Sequence, residues 1–320
     1  MYGGDRLEQR RGYEGFRVIT LSAMCGAVFF LLPFWVPAFL GLISLLSLFS
    51  PLPLMYATRR LGLARGSLTV LLATLMLVLL KGPLIGLLFL FDFGILALSL
   101  CFLLEAHVSI ERAILFSGLS TLLVTGAVGG VYATYADIGV LEGLRQWIDS
   151  ALSQAIGALE KSNLPPEQVL VLQGRQEMLV QLFLSLTPSL VLGFMSMISF
   201  LNVITVNRVL SLLKQPPMFS VGDLTRWRSP DRLVWGLLAA GFCTAFYSGG
   251  FSVIAWNLLI LFAVAYFFQG LSIVAYFFKT WRVPRFLAIL IYFLMVTQFP
   301  LAVLIAITGL FDLWINFRRL

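Results

Sequence analysis

The sequence predicts an all-α fold, a polytopic transmembrane bundle of about eight to ten helices with both termini in the cytoplasm. The 320 residues are 60% hydrophobic and only 12% charged, whereas soluble domains have about 25% charged residues. The apolar residues also form long runs without Asp, Glu, Lys or Arg, such as 31–58, 233–278 and 286–311. Such runs are typical of membrane-spanning helices, because in lipid each backbone polar group must be paired within its own segment.

The apolar runs divide into successive predicted spans. These are residues 18–35, 36–57, 66–81, 83–104, 113–135, 178–212, 233–249 and 251–278. The last apolar stretch, 283–317, would be about 50 Å long as a single helix, against a hydrocarbon core of about 30 Å. Gln298 and Pro300 lie near its middle, so two short helices, 283–298 and 300–317, are favoured as a hairpin. A single tilted helix with an exported C-terminus is the alternative.

Lys and Arg set the predicted orientation, because cytoplasmic loops carry an excess of positive residues. A cytoplasmic tail (1–17) precedes the N-terminal transmembrane helices (18–135). An extracytoplasmic helical segment (136–177) follows. The C-terminal transmembrane helices (178–320) include a basic cytoplasmic loop (214–232).

The extracytoplasmic segment is predicted to begin with an amphipathic helix. Apolar residues from Ile138 to Leu159 recur at steps of three or four, which is the spacing of one helix face. Pro165 and Pro166 end this series, and a second helix is expected from Glu167. A helical cap over the bundle is the favoured interpretation, and a lid over an external opening is the alternative.

Asp92 is the strongest candidate functional residue. It lies near the middle of the 83–104 span, where a charged side chain costs about 2.5–3.5 kcal/mol on insertion scales. The two interpretations are a substrate, ion or proton site and a packing residue that is protonated or hydrogen bonded. We expect Asp92 to face the interior of the bundle beside polar groups such as Asn257 or Gln269. These three residues form the predicted substrate or ion site.

For Asn257 and Gln269, as for Asn202, Asn207 and Gln298, the favoured interpretation is a structural interhelical hydrogen bond, worth about 0.6 kcal/mol on average. Asp312 and Asn316 lie one turn apart and precede Arg318. They are expected to form an interfacial polar cluster at the cytoplasmic edge.

Nothing in the sequence supports an enzyme, a metal site or nucleic-acid binding. No motif for a nucleophilic serine, a zinc protease or a phosphate-binding loop is present. The one His and three Cys do not have the spacing of a metal site. Lys and Arg at helix ends explain the net charge of +7. We therefore expect no catalytic residues, no metal, no cofactor and no nucleic-acid partner.

Four segments of the second half carry a family resemblance: Leu224–Pro230, Phe268–Val274, Trp281–Pro284 and Gly309–Arg318. They resemble the YybS-like bacterial membrane proteins, a family of unknown function. The motif residues are Trp227, Arg228, Pro230, Gln269, Gly270, Pro284, Gly309, Asp312 and Arg318. The resemblance implies a multi-pass protein of a bacterial inner (plasma) membrane.

In the first half, Met55–Gly62 leads into a glycine-bordered span that ends at Lys81–Pro83. This short-helix arrangement is similar to that of the S-components of energy-coupling-factor vitamin transporters. In S-components an A-x-x-x-A pair on the first helix contacts the transmembrane coupling subunit. Ala23 and Ala27 match that spacing, so the resemblance implies that they contact a membrane partner subunit.

Two functions are consistent with these features. The first is small-molecule binding or transport, which the S-component resemblance and Asp92 imply. The alternative is a structural or scaffolding membrane protein that recruits cytoplasmic partners through the 214–232 loop. An intramembrane enzyme is the least favoured interpretation.

Overall fold

The described residues fold almost entirely into helices. The computed structural model describes residues 4–35, 45–135, 137, 139–160, 166–217, 219 and 222–318, and no strand occurs among them. Six helical stretches among these residues, including Pro83–Glu105 taken as one, are long and apolar enough to cross a membrane. The all-α membrane fold predicted from the sequence is therefore confirmed, and membrane-spanning helices imply contact with the lipid bilayer.

The chain divides into two compact units. The first comprises residues 1–140 and 194–220, and the second comprises residues 141–193 and 221–320. One long helix, Gln176–Leu212, passes from the second unit into the first.

The first unit contains several helices, two pairs of which are joined by a single glycine. Its elements are α1 (Gly4–Trp35), a 3-10 turn (Leu45–Phe49), α2 (Pro51–Leu61), α3 (Leu63–Lys81), α4 (Pro83–Phe89), a π-helical turn (Leu90–Gly94), α5 (Ile95–Glu105) and α6 (Ile110–Tyr135). Gly62 joins α2 to α3 and Gly82 joins α3 to α4, at φ values of 86° and 95°. Glycine adopts such values readily because it has no side chain, so neither junction needs a longer loop.

The predicted span 36–57 is not one transmembrane helix. Residues 36–44 lie outside the described part of the chain, and the remainder forms the 3-10 turn and the 11-residue α2. A helix of that length is about 17 Å long, against about 30 Å of hydrocarbon. Pro51 and Pro53 explain why the helix starts where it does, since proline is tolerated in the first turn of a helix but not in its interior.

The second unit contains the predicted amphipathic helix and the C-terminal helices. Its elements are α7 (Val140–Glu160), α8 (Pro166–Gly174), the first part of α9 (Gln176–Leu212), α10 (Leu233–Phe246), α11 (Gly250–Thr280), α12 (Arg285–Thr297) and α13 (Phe299–Ile315). The apolar series that predicted α7 supplies its buried residues, Ile148 and Ile156. The predicted span 233–249 is shorter than expected, because α10 has 14 residues and is therefore about 21 Å long.

The last apolar stretch is broken, as predicted, but it is not a hairpin. α12 and α13 meet at Gln298 with a bend of 99°. Gln298 is in an extended conformation, and Pro300 lies in the first turn of α13, where its missing N–H has no helical acceptor to lose. An antiparallel helix pair needs a loop of about 2–5 residues. The single residue between α12 and α13 therefore turns the chain through about a right angle.

Candidate functional site

Asp92 lies where the regular helix is interrupted between α4 and α5. Residues Leu90–Gly94 form a π-helical turn, in which the Ile95 N–H donates to the Leu90 carbonyl five residues back. The Thr125 hydroxyl of α6 donates to Asp92 Oδ1 at 3.1 Å, and Asp92 is partly buried. Single π-helical turns occur frequently at functional sites. The predicted carboxylate therefore lies on a distorted backbone, beside a polar neighbour.

Aromatic and close backbone contacts hold this turn in place. The Phe30 ring of α1 contacts the rings of Phe89 and Phe93 at centroid distances of 5.3 and 5.5 Å. A Cβ atom added to Gly94 would lie 2.6 Å from a methyl carbon of Val70, so α3 packs directly against the turn. The position of the Asp92 backbone is thus fixed by neighbouring helices.

The Asp92 carboxylate has capacity for a further partner. None of the ion pairs among the described residues includes it. An ionised carboxylate offers about four acceptor positions, and the Thr125 hydroxyl occupies one of them. No group of three or more His, Cys, Asp or Glu that could hold a metal ion occurs in the part of the chain that the structure describes.

Asn257, in α11, hydrogen bonds to the backbone of α9. α9 contains Pro188, which has no N–H and disturbs the helical hydrogen bonds around it. Asn257 Nδ2 donates to the Ser185 carbonyl at 2.8 Å, and Asn257 Oδ1 accepts from the Ser189 N–H at 3.1 Å. In a regular helix these two backbone groups, four residues apart, would bond to each other. The Asn257 amide therefore bonds to both members of a backbone pair beside Pro188.

Replacing Asn257 with Leu should lower the free energy of unfolding by about 1–3 kcal/mol, because the Ser185 carbonyl and the Ser189 N–H lose their partner. In a Pro188→Ala background α9 can form its own hydrogen bond between these groups, so the same substitution should cost less. Chemical denaturation in detergent micelles can measure all four proteins of this double-mutant cycle. An equal cost in both backgrounds would show that Asn257 acts independently of the helix break.

Gln269 is buried in a polar network of the second unit. Its Oε1 accepts hydrogen bonds from the Ser229 N–H, at 3.2 Å, and from the Ser229 hydroxyl. Its Nε2 donates to Asp312 Oδ2 at 3.2 Å, and Gln269 itself is 0% exposed. Asn257 and Gln269 belong to the second unit, whereas Asp92 belongs to the first. That the three residues share one ligand site stays a prediction.

Arg318 is the cation of this network. Its guanidinium pairs with Asp312 at 2.7 Å, and the two side chains are 1% and 2% exposed. Nη1 of Arg318 also donates to the carbonyls of Thr225 and Trp227, at 3.0 and 2.9 Å, and to the Ser272 hydroxyl, at 2.7 Å. The side chain therefore joins the end of the chain to the segment before α10 and to α11.

The interfacial cluster expected around Asp312 and Asn316 is instead a buried ion pair. Asn316 ends α13 in the left-handed conformation, with φ 46°. The next residue, Phe317, donates its N–H to Asp312 Oδ1 at 3.0 Å. This reversal after the helix brings Arg318 to the Asp312 carboxylate, and the pair is enclosed by protein. Its position at the cytoplasmic edge of the membrane stays a prediction.

Most of the motif residues quoted from the sequence converge on this network. Gly270 and Gly309 mark a close crossing of α11 and α13. A Cβ atom on Gly270 would collide with the Ile305 carbonyl, and one on Gly309 with the Tyr266 carbonyl. Arg228 donates to the Leu313 carbonyl at 3.3 Å and pairs with Asp231 at 3.6 Å. The Pro230 carbonyl accepts from the Leu233 N–H. Pro284 instead precedes α12 as its N-cap residue.

Ala23 and Ala27 are buried inside the chain. They lie on α1, which packs against α2 and α3. A Cβ atom on the neighbouring Gly26 would lie 3.3 Å from the Ser50 carbonyl oxygen, so this part of α1 is closely covered. A partner subunit would have to displace that packing to reach the two alanines, and their contact with such a subunit stays a prediction.

A groove of about 310 Å³ runs along α7 and α9 in the second unit. Its lining is apolar apart from one hydroxyl, and consists of Trp147, Ile148, Ala151, Leu152, Phe183, Thr187, Leu190 and Val191. It contains no charged side chain. The groove therefore differs in chemistry from the surroundings of Asp92.

Hydroxyl residues are the partners that sequence reasoning missed. In helices the hydroxyl of Ser or Thr usually bonds to a carbonyl of its own turn, as that of Thr74 does with Val70. Thr125 therefore carried no signal of its contact with Asp92. The position of Ser229 inside the Leu224–Pro230 motif was the one indication of its role.

The comparisons with known proteins identify a family. No curated protein and no solved structure matched the chain. A family model described as "Predicted membrane protein (DUF2232)" matches residues 26–313, which include most of both units and every motif residue except Arg318. Because the match covers most of the chain, the protein belongs to this family of predicted membrane proteins.

Proposed function

We propose that the protein is a multi-pass protein of the bacterial inner (plasma) membrane that binds or transports a small molecule, without enzymatic activity. The observation that carries the proposal is the Asp92 carboxylate, held on a π-helical turn with the Thr125 hydroxyl as its described partner. A resemblance to S-components supports the same function, and the likeness to YybS-like proteins adds no activity.

Asp92 differs from the other embedded polar groups in how few partners it has among the described residues. The Asn257 amide bonds to the α9 backbone, and the Asp312 carboxylate is neutralised by Arg318. Their hydrogen bonds stabilise the fold of the second unit. Asp92 has a single described donor, yet a charge within the membrane is costly and usually has a function. A ligand with a cationic or hydrogen-bond-donating group would supply the missing partner.

Scaffolding is the alternative function. The observation that favours it is the fixed position of the 222–232 segment, whose Ser229 and Trp227 bond to Gln269, Ser272 and Arg318. Such a segment would present Arg226 and Arg232, both exposed, to a cytoplasmic partner in one arrangement.

Asp92→Asn should weaken retention of the bound small molecule by about tenfold or more, because a hydrogen bond to a charged group is worth about 1.5–3 kcal/mol. Thr125→Val should have a smaller effect, since it removes a neutral donor. Native mass spectrometry of small molecules that co-purify with the protein measures the loss.

Asp149→Asn is the matched control. Asp149 is an exposed carboxylate of α7 that accepts a hydrogen bond from Gln176, and its replacement should leave retention unchanged. If no small molecule co-purifies with the wild type, or if Asp92→Asn retains it equally well, the proposed binding function is wrong.

A further inference from the structure

The turn between α11 and α12 carries exposed cations beside exposed aromatic rings. Lys279, Arg282 and Arg285 are all exposed. Trp281 is 69% exposed and Phe286 is 80% exposed. Together with the exposed Arg226 of the neighbouring segment, these residues are called the basic turn.

The basic turn has an excess of positive charge. Asp223 pairs with Lys279 at 3.4 Å. Hydrogen bonds from the Thr225 hydroxyl and N–H hold the pKa of Asp223 below its usual value, so it remains an anion at neutral pH. Arg226, Arg282 and Arg285 have no ion-pair partner among the described residues. Four cations and one anion leave three uncompensated positive charges.

Ring contacts on both sides hold the turn in one shape. Trp281 contacts Phe277 at a centroid distance of 5.0 Å, and Phe278 contacts Tyr292 of α12 at 5.3 Å. The cations are therefore presented together by a fixed turn, and the side-chain entropy lost on binding a partner is confined to the long cationic side chains.

The turn adjoins apolar helices. α12 begins at Arg285 and has no buried residue, and its Ile289 is 68% exposed. Trp is enriched at the membrane–water interface, where the phosphates of lipid headgroups lie. Cations clustered directly next to membrane-embedded helices on the cytoplasmic side are typical of binding to anionic lipids.

We propose that the basic turn binds the headgroups of anionic phospholipids at the membrane surface. The charge selects an anionic headgroup, while Trp281 and Phe286 insert beside the acyl chains and keep the turn at the level of the phosphates. An acidic cytoplasmic protein would satisfy the charge, but it would leave these two rings in water. The proposal is independent of Asp92 and of the proposed transport function.

The test compares lipids that differ in headgroup charge. Full-length protein in detergent is titrated with phosphatidylglycerol or with phosphatidylcholine, and bound lipid is measured by native mass spectrometry. Each basic residue near an anionic surface strengthens binding by about fivefold. The triple variant Arg226→Gln/Arg282→Gln/Arg285→Gln should therefore bind phosphatidylglycerol about a hundredfold more weakly than the wild type. Its binding of phosphatidylcholine should not change.

Two further variants separate charge at this place from net charge and from folding. The control Lys81→Gln/Arg145→Gln/Arg175→Gln removes the same number of charges elsewhere and should bind phosphatidylglycerol like the wild type. The variant Arg226→Lys/Arg282→Lys/Arg285→Lys keeps the charge and should retain most of the affinity. The proposal fails if the control variant loses as much affinity as the Gln triple variant. It also fails if the Lys triple variant binds as weakly as the Gln triple variant.

Competition experiments distinguish the lipid from other anions. Inorganic phosphate at the same concentration should not displace phosphatidylglycerol, because it offers nothing to the aromatic rings. Displacement by inorganic phosphate alone would show a general anion site and overturn the proposal. Equal binding of the two lipids by the wild type, or displacement of the lipid by an acidic cytoplasmic protein, would overturn it as well.

Discussion

Replacing Arg318 with Met is expected to lower the free energy of unfolding by about 3–5 kcal/mol, the usual cost of leaving one member of a buried ion pair without its partner. The Asp312 carboxylate would remain enclosed without a cation. The Thr225 and Trp227 carbonyls would lose the same donor. Equilibrium unfolding in mixed micelles, followed by circular dichroism, measures the change.

The double variant Asp312→Leu/Arg318→Met should be less destabilised than Arg318→Met alone. Removing both charges leaves no unpaired ion, and apolar replacements of buried pairs are often close to neutral. A cost of about 1–3 kcal/mol should remain, because backbone carbonyls that Arg318 satisfied stay buried.

Arg145→Met provides the control for this prediction. It breaks a pair with Glu177 at 2.8 Å, close to the 2.7 Å of the buried pair, but between exposed side chains. Water replaces the lost contact there, so the effect should be far smaller. If Arg318→Met and Arg145→Met change stability equally, the buried pair does not hold the second unit together.

Helices in this protein could be predicted from sequence because lipid forces the backbone to pair locally. Continuous apolar composition is then sufficient to predict α3, α6 and α11 as membrane helices. Breaks were predicted where a residue type interferes with that pairing, and Pro300 does so at the start of α13. The angle at Gln298 was not predictable, since it depends on how many residues lie between α12 and α13.

Contacts between helices were largely out of reach of sequence reasoning. A helix that is apolar on all sides has no polar stripe to show which face it buries, so the pairing of Asp92 with Thr125, 33 residues away, leaves no trace in composition. Asn257 was identified as a polar group that joins helices. Its position beside Pro188 depends on how α9 and α11 are aligned, and the sequence does not show that alignment.

The family motifs indicated residues of the buried Asp312–Arg318 network that composition does not distinguish. The resemblance groups Gln269, Gly270, Gly309, Asp312 and Arg318 as motif residues, and the structure brings them together where α11 and α13 cross. Composition suggested an interfacial position for Asp312, since isolated charges at the ends of apolar helices usually face water. The left-handed Asn316 overrides that tendency because it turns Arg318 inward.

Gly309→Ala is expected to lower the free energy of unfolding by about 3 kcal/mol or more, at or above the upper end of the usual cost of overpacking. The added methyl group would overlap the Tyr266 carbonyl oxygen, which belongs to the backbone of α11. A backbone atom cannot rotate away as a side chain can, so α11 and α13 must move apart. Gly241→Ala, in α10, is the control, because nothing lies within 4 Å of its added Cβ. It should be neutral or stabilising by up to about 1 kcal/mol.

Separation of α11 and α13 would also strain the network beside the crossing. Gln269 in α11 reaches Asp312 in α13 at 3.2 Å, a contact that a shift of a few tenths of an ångström would weaken. The costs of Gly309→Ala and Arg318→Met should therefore be less than additive when combined, since each substitution loosens what the other depends on. Denaturation of the single and double variants in mixed micelles measures this coupling. Strict additivity, or a Gly309→Ala protein as stable as Gly241→Ala, would show that the glycine crossing and the buried ion pair are independent.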